Sequence, residues 1–218
     1  MPSESSLPWP RVAGFVNQLT HDLRNDINSL ALGLDLLKSS LADPESLESA
    51  ARLNDHIRTA GARLREISAR IADPKPNSAK ISAHDLFLIW QDQAFQLGIN
   101  AAWSHTLGTE QLTIDVAGVS RALAELLVNA RQFGDGLGLI AAAGIFGKEV
   151  VFELQEPKPN PLDPTEWGVA PFQSTQRAHY GLGLWESDRL VRASGGEIKR
   201  QWLATGKLVT KFKFPSEP

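Results

Sequence analysis

His21 is followed at once by Asp22, and Asn25 stands one helical turn further on, within Thr20-His21-Asp22-Leu23-Arg24-Asn25. A neutral imidazole nitrogen is a competent nucleophile near pH 7. An adjacent carboxylate can hold the ring tautomer or take the proton as attack proceeds. An amide one turn away can position a water or a phosphoryl group. Glu125 and Asn129 form a second pair. Four residues apart on one helix, they face the same way, and their oxygens suit Mg²⁺, a hard ion that keeps several waters. Gly181-Leu182-Gly183-Leu184 is the third feature. Glycines before a helix let the backbone approach a phosphate and leave N–H groups pointing at it.

Two regions must position these groups. The break lies at the proline-bearing connector Asp73-Pro74-Lys75-Pro76-Asn77-Ser78, so residues 1–78 and 79–218 read as two domains. In the first, Val12, Val16, Leu19, Leu23, Ile27, Leu30, Leu34, Leu37 and Leu41 recur at steps of three and four, close to a heptad seam. His21 falls between Leu19 and Leu23, off that stripe, and is expected to face solvent. Asp43-Pro44 reads as a cap and first helical residue. A second helix carries Leu53, Ile57, Ala60, Leu64, Ile67 and Ile71. At 1.5 Å per residue the first helix is roughly 50 Å long, too long for a lone hairpin to cover its stripe. A four-helix bundle made by two chains is the expected solution.

The second region mixes helices and strands. Helices are predicted from Ser82 to about Leu97, over Val119 to Phe133 and over Leu182 to Ser194, the last stopped by Gly195-Gly196. Strands are predicted at Ala101 to His105, on both sides of Gly147-Lys148, and on both sides of Thr205-Gly206. Pro157 to His179 reads as loop. An α+β sandwich, one sheet backed by helices, fits this order.

Composition narrows the function. The 218 residues are 42% hydrophobic, with 22 basic and 25 acidic side chains and a net charge of −3. That composition supports a packed core and argues against a protein that grips nucleic acid by bulk charge. There is no cysteine, which excludes disulfides, thiolate metal sites and cysteine nucleophiles. No apolar run approaches the ~20 residues of a membrane span, and Met1 to Pro10 lacks a signal-peptide core. A cytoplasmic location without membrane or nucleic-acid partners is the expectation.

Taken together and in order, the three segments resemble the core of a two-component sensor histidine kinase. His21-Asp22-Leu23-Arg24-Asn25 matches the phosphoacceptor box of the dimerising hairpin. Glu125-Leu-Leu-Val-Asn129-Ala130-Arg131-Gln132-Phe133 matches the metal-binding box of the ATPase domain. Pro171-Phe172 resembles the phenylalanine box of its lid, and Gly181-Leu182-Gly183-Leu184 its second glycine box. The resemblance implies a homodimer in which His21 attacks ATP with Asp22 assisting. Asn25 would serve the reverse reaction. Glu125 and Asn129 would hold Mg²⁺, and Gln132, Glu156 and residues 181–184 would bind nucleotide. The phosphoryl group would pass to a response-regulator receiver domain, under the control of an upstream sensor protein.

The sequence departs from the family pattern in two places. No proline follows the acceptor box, where Asp26-Ile27 stands. The first glycine box, usually an aspartate that bonds adenine followed by alternating glycines, is replaced by Glu156-Pro157-Lys158-Pro159-Asn160-Pro161. Prolines fix φ and lack N–H donors. Glu156 stands where the aspartate would be. Two alternatives therefore stay open: an ATP-independent histidine phosphotransferase relaying phosphate between receiver domains, and a non-catalytic interaction module on the same scaffold.

Overall fold

The computed structural model describes residues 9–134, 136–158, 160–161, 163–172 and 181–216, with side chains from Val12 onward. The chain divides after Asp73 into two compact units. No described helix is long and apolar enough to cross a membrane.

The first unit is a helical hairpin of α1 (Trp9–Lys38) and α2 (Pro44–Ile71). Asp43 ends the turn between them. Its carboxylate accepts from the backbone N–H of Glu45 at 3.0 Å and of Ser46 at 3.1 Å, and Pro44 opens α2. The helices pack through Leu34, Ala50 and Ile57, with Ile27, Ala31 and Leu41 at the margin. Gly61 brings the backbone of α2 close to Ile27, whose Cγ2 lies 3.4 Å from where a Cβ would stand. The sequence stripe on α1 thus splits into two faces. Val16, Ile27, Leu34 and Leu41 turn inward, while Leu19, Leu23, Leu30 and Leu37 stay exposed.

The second unit begins with β1 (Ala79–Ser82) and α3 (Ala83–Gln96), capped by Ser82 Oγ, which accepts from Asp85 N at 3.0 Å. β2 (Ala101–His105), β3 (Gln111–Ile114) and α4 (Val116–Gln132) follow, then β4 (Leu139–Phe146) and β5 (Glu149–Pro157). α5 (Gly183–Ala193), β6 (Glu197–Leu203) and β7 (Lys207–Pro215) complete it. A five-stranded sheet runs β2-β4-β5-β7-β6, and β1 pairs with β3 in a separate two-stranded sheet. Within the large sheet β2 lies parallel to β4 and every other pairing is antiparallel. The short strands β1 and β3 were not expected from sequence. The other strands and helices fall where the patterning predicts them.

The strands of the large sheet alternate, as one covered face requires. Val150, Phe152 and Leu154 of β5 and Phe212 and Phe214 of β7 turn toward the helices. There they join Leu86, Phe87 and Trp90 of α3 and Leu123 and Leu127 of α4. Trp90 meets Trp103 edge to face at 5.1 Å and donates its indole N–H to the Leu123 carbonyl at 3.2 Å. The opposite face carries charge. Glu153 pairs with Lys211 at 2.8 Å, Glu149 with Lys213 at 3.0 Å and Glu197 with Lys199 at 2.9 Å.

Candidate functional site

His21 stands on α1 with its side chain 63% exposed. Its Nδ1 lies 3.3 Å from Asp22 Oδ1 and 3.4 Å from the Asn25 side-chain amide, one turn on. Asp22 is steadied in turn, because Gln18 Nε2 donates to the same Oδ1 at 2.9 Å. The two contacts call for opposite tautomers: Asp22 accepts only from a protonated Nδ1, which puts the lone pair on Nε2, whereas the Asn25 amide donates only to an unprotonated Nδ1. No described residue bonds Nε2. The ring is therefore held from one side and open on the other. Thr20, next in the chain, faces the opposite way. It is buried and donates its hydroxyl to Val16 O at 2.5 Å.

The second unit brings together most of the remaining candidates. Asn129 Nδ2 donates to Glu125 Oε1 at 3.5 Å, so the two share one face of α4. That face meets the start of α5. A Cβ on Gly183 would stand 1.8 Å from Glu125 Oε1, so a side chain there would displace the carboxylate. Gly181 sits just ahead at φ +61°, in the left-handed region that glycine adopts without strain. Leu182 precedes α5 and offers it no side-chain cap. The Glu125 carboxylate thus lies at a helix N-terminus, where the backbone dipole favours negative charge. Leu182 is buried, and Gly181, Gly183 and Leu184 are half-buried. Gln132 is exposed at the end of α4. The oxygens of Glu125 and Asn129 fit a hard, water-keeping cation such as Mg²⁺. No cluster of three or more His, Cys, Asp or Glu side chains suited to a metal occurs among the described residues.

Glu156, expected to stand in for the adenine-bonding aspartate, is buried one residue before the end of β5. Its Oε2 lies 3.0 Å from Lys158 Nζ, with both side chains 7% exposed. Burial pushes the Glu156 carboxyl above the usual range, and the Lys158 charge and hydrogen bond, with Arg200 beyond, pull it back. Lys158 also donates from Nζ to the Phe133 carbonyl at 3.4 Å, and its backbone N–H bonds Gly206 O at 3.0 Å. One lysine so ties the end of β5 to the end of α4 and to the β6–β7 turn. Lys158 was read from sequence only as part of a proline-rich loop. Its partners at Phe133 and Gly206 are remote in sequence, and no local pattern points to them.

Phe172, in the segment resembling the phenylalanine box, has φ +64° and is 48% exposed. Gly168 packs against the first turn of α5, where a Cβ would meet Leu184 O at 2.9 Å. The predicted loop to His179 lies outside the described residues beyond Phe172. Trp185 is buried, with the Arg189 guanidinium 4.3 Å over its ring.

No family model matches the chain, and no curated protein sequence matches it. Solved structures do. Full-length ShkA in complex with AMPPNP superposes with a TM-score of 0.66 at 19% identity, covering 93% of this chain and 46% of that one. The chain thus spans under half the length of ShkA. ThkA in complex with the response regulator protein TrrA gives a TM-score of 0.56 at 15% identity, over 97% of this chain and 65% of that one. The mycobacterial sensor histidine kinase MprB gives 0.53 at 16% identity, over 65% of this chain and 99% of that one.

Proposed function

We propose, for a chain with the fold of a sensor histidine kinase core, that it is a two-component signalling kinase. His21 takes the γ-phosphoryl group of ATP and passes it to an aspartate of a response-regulator receiver domain. The observation that carries this reading is the exposed imidazole, whose Nδ1 faces the Asp22 carboxylate while no described residue bonds Nε2. Nε2 attacks phosphorus, the bond to the leaving ADP oxygen breaks, and the Nδ1 proton passes toward Asp22. Asn25 places a water for the reverse, hydrolytic step. Glu125 and Asn129 hold Mg²⁺, whose charge offsets that of the phosphates when it is bound. Gly181, Leu182, Gly183 and Leu184 line the phosphates with backbone, and Gln132 lies at the rim. The AMPPNP complex of ShkA supports a nucleotide as ligand, and the ThkA–TrrA complex supports a response regulator as partner.

The exposed face of Leu19, Leu23, Leu30 and Leu37 pairs two hairpins into a four-helix bundle, giving a homodimer. An upstream sensor protein supplies the signal, and the chain acts in the cytoplasm. A second reading, the ATP-independent relay between receiver domains, is favoured by one observation. The Glu156 carboxylate, which the kinase reading needs for adenine, is already engaged by Lys158.

Incubation with γ-labelled ATP and Mg²⁺, with His21→Gln as control, tests the reading. Label on the wild type alone supports the kinase. No label from ATP, but label on His21 from a phosphorylated receiver domain, replaces it with the relay. Failure of both leaves the non-catalytic interaction module.

A further inference from the structure

β6 turns Ile198 and, two residues on, Arg200 toward the covered face of the sheet. Arg200 lies in register with Thr210 of β7. Its Nη1 donates to the Trp167 carbonyl at 3.0 Å. Its Nε and Nη2 are shut off from water and meet no acceptor, and the same holds for the Thr210 hydroxyl oxygen. Those two N–H groups form one edge of the guanidinium. It is the edge that grips both oxygens of a carboxylate, or two of a phosphate, at once.

The acidic neighbours do not close it. Glu156 is committed to Lys158 at 3.0 Å, and Asp188 to Arg192 at 2.6 Å. Three cations, Lys158, Arg192 and Arg200, therefore stand with two carboxylates, and one positive charge is left over in the cluster. A sheltered guanidinium with an unpaired bidentate edge destabilises a fold unless an acceptor meets it.

We infer that this edge seats an oxyanion: the carboxylate or phosphate group of a small ligand lies across Nε and Nη2 of Arg200, beside the Thr210 hydroxyl. The site is separate from the chemistry of His21. A chain that never carries phosphate on that histidine still has this edge to fill.

Full-length protein labelled with ¹⁵N-arginine tests it through the Arg200 Nε–H signal, identified by its loss in Arg200→Lys. The protein is titrated separately with inorganic phosphate, malonate and ATP. The Arg200 signal is expected to move and saturate with at least one of them. A response to phosphate alone, malonate alone or ATP alone names free phosphate, a carboxylate or a nucleotide as the source. Arg200→Lys keeps the charge, loses the fork, and is expected to weaken that binding about tenfold. Thr210→Val is the milder companion variant and is expected to weaken it about threefold. An Arg200 signal unmoved by all three probes overturns the inference, as does equal affinity in wild type and Arg200→Lys.

Discussion

Of the two side chains beside His21 Nδ1, only Asp22 can accept its proton, so the role of the carboxylate can be tested apart from that of the ring. Asp22→Asn keeps the size and loses the proton acceptor. It is expected to slow His21 labelling about 100-fold or more, with the helical circular dichroism unchanged. The Glu156–Lys158 pair makes a second residue-level prediction. Lys158→Met leaves a buried carboxylate without its cation and should cost about 3 kcal/mol at pH 7 by urea unfolding. The sign with pH follows from the direction of the shift. The Glu156 pKa is raised on folding, chiefly by burial, so folding favours the protonated form. Stability from this group declines as pH rises through its titration. Removing Lys158 takes away an opposing pull, so the deficit of Lys158→Met should shrink as pH is lowered toward 5. A deficit constant with pH would contradict this account. His21 and the Glu125–Asn129 pair were legible in sequence because their chemistry lies within one or two helical turns. The inward Arg200 left a trace too, at the middle of the alternation Ile198–Arg200–Trp202. A trace of that kind is read only once the covered face of β6 is known.

At the scale of elements, the outer face of the sheet is held by pairs rather than apolar cover. Burial alone would raise the Glu153 carboxyl, but the hydrogen bonds and charge of Lys211, with Gln155, outweigh it and leave the pKa lowered. A lowered carboxyl stabilises the fold above its unfolded value of about 4.5 and loses that contribution as pH falls through the folded value. Glu153→Gln should therefore lower stability by under about 1 kcal/mol at pH 7 and by nothing near pH 2, with 1 M salt narrowing the gap. Thermal melts across that range check it. The sequence patterning located α3, α4, α5 and the strands of the large sheet because each is long enough to show its period. β1 and β3 are four residues each, too short to alternate visibly, and they exist because they pair with one another. The stripe on α1 is a different case. Its residues were rightly grouped as apolar, but a period alone does not say which of them meet α2 and which look away.

At the scale of the whole molecule, that division becomes a prediction about assembly. The exposed leucines of α1 are expected to bring two chains together, giving a light-scattering mass near twice 23.8 kDa. Leu30→Glu with Leu37→Glu should yield monomers with the second unit still folded, since each leucine buried at such a face contributes roughly 1.5–3 kcal/mol. A variant that stays dimeric would place the interface elsewhere.

The single parallel pairing in the large sheet also orders its assembly in time. β4 with β5 and β6 with β7 close over tight turns, whereas β2 reaches β4 only by way of β3 and α4. Distant partners must pay a larger chain-closure entropy before any contact rewards them. The two hairpins are therefore the early units; β5 meets β7 across a still longer stretch of chain, and β2 is another late arrival. Until it docks, the β4 margin is a bare row of amides and carbonyls, the point at which a newly made chain is most prone to pair with another copy of itself.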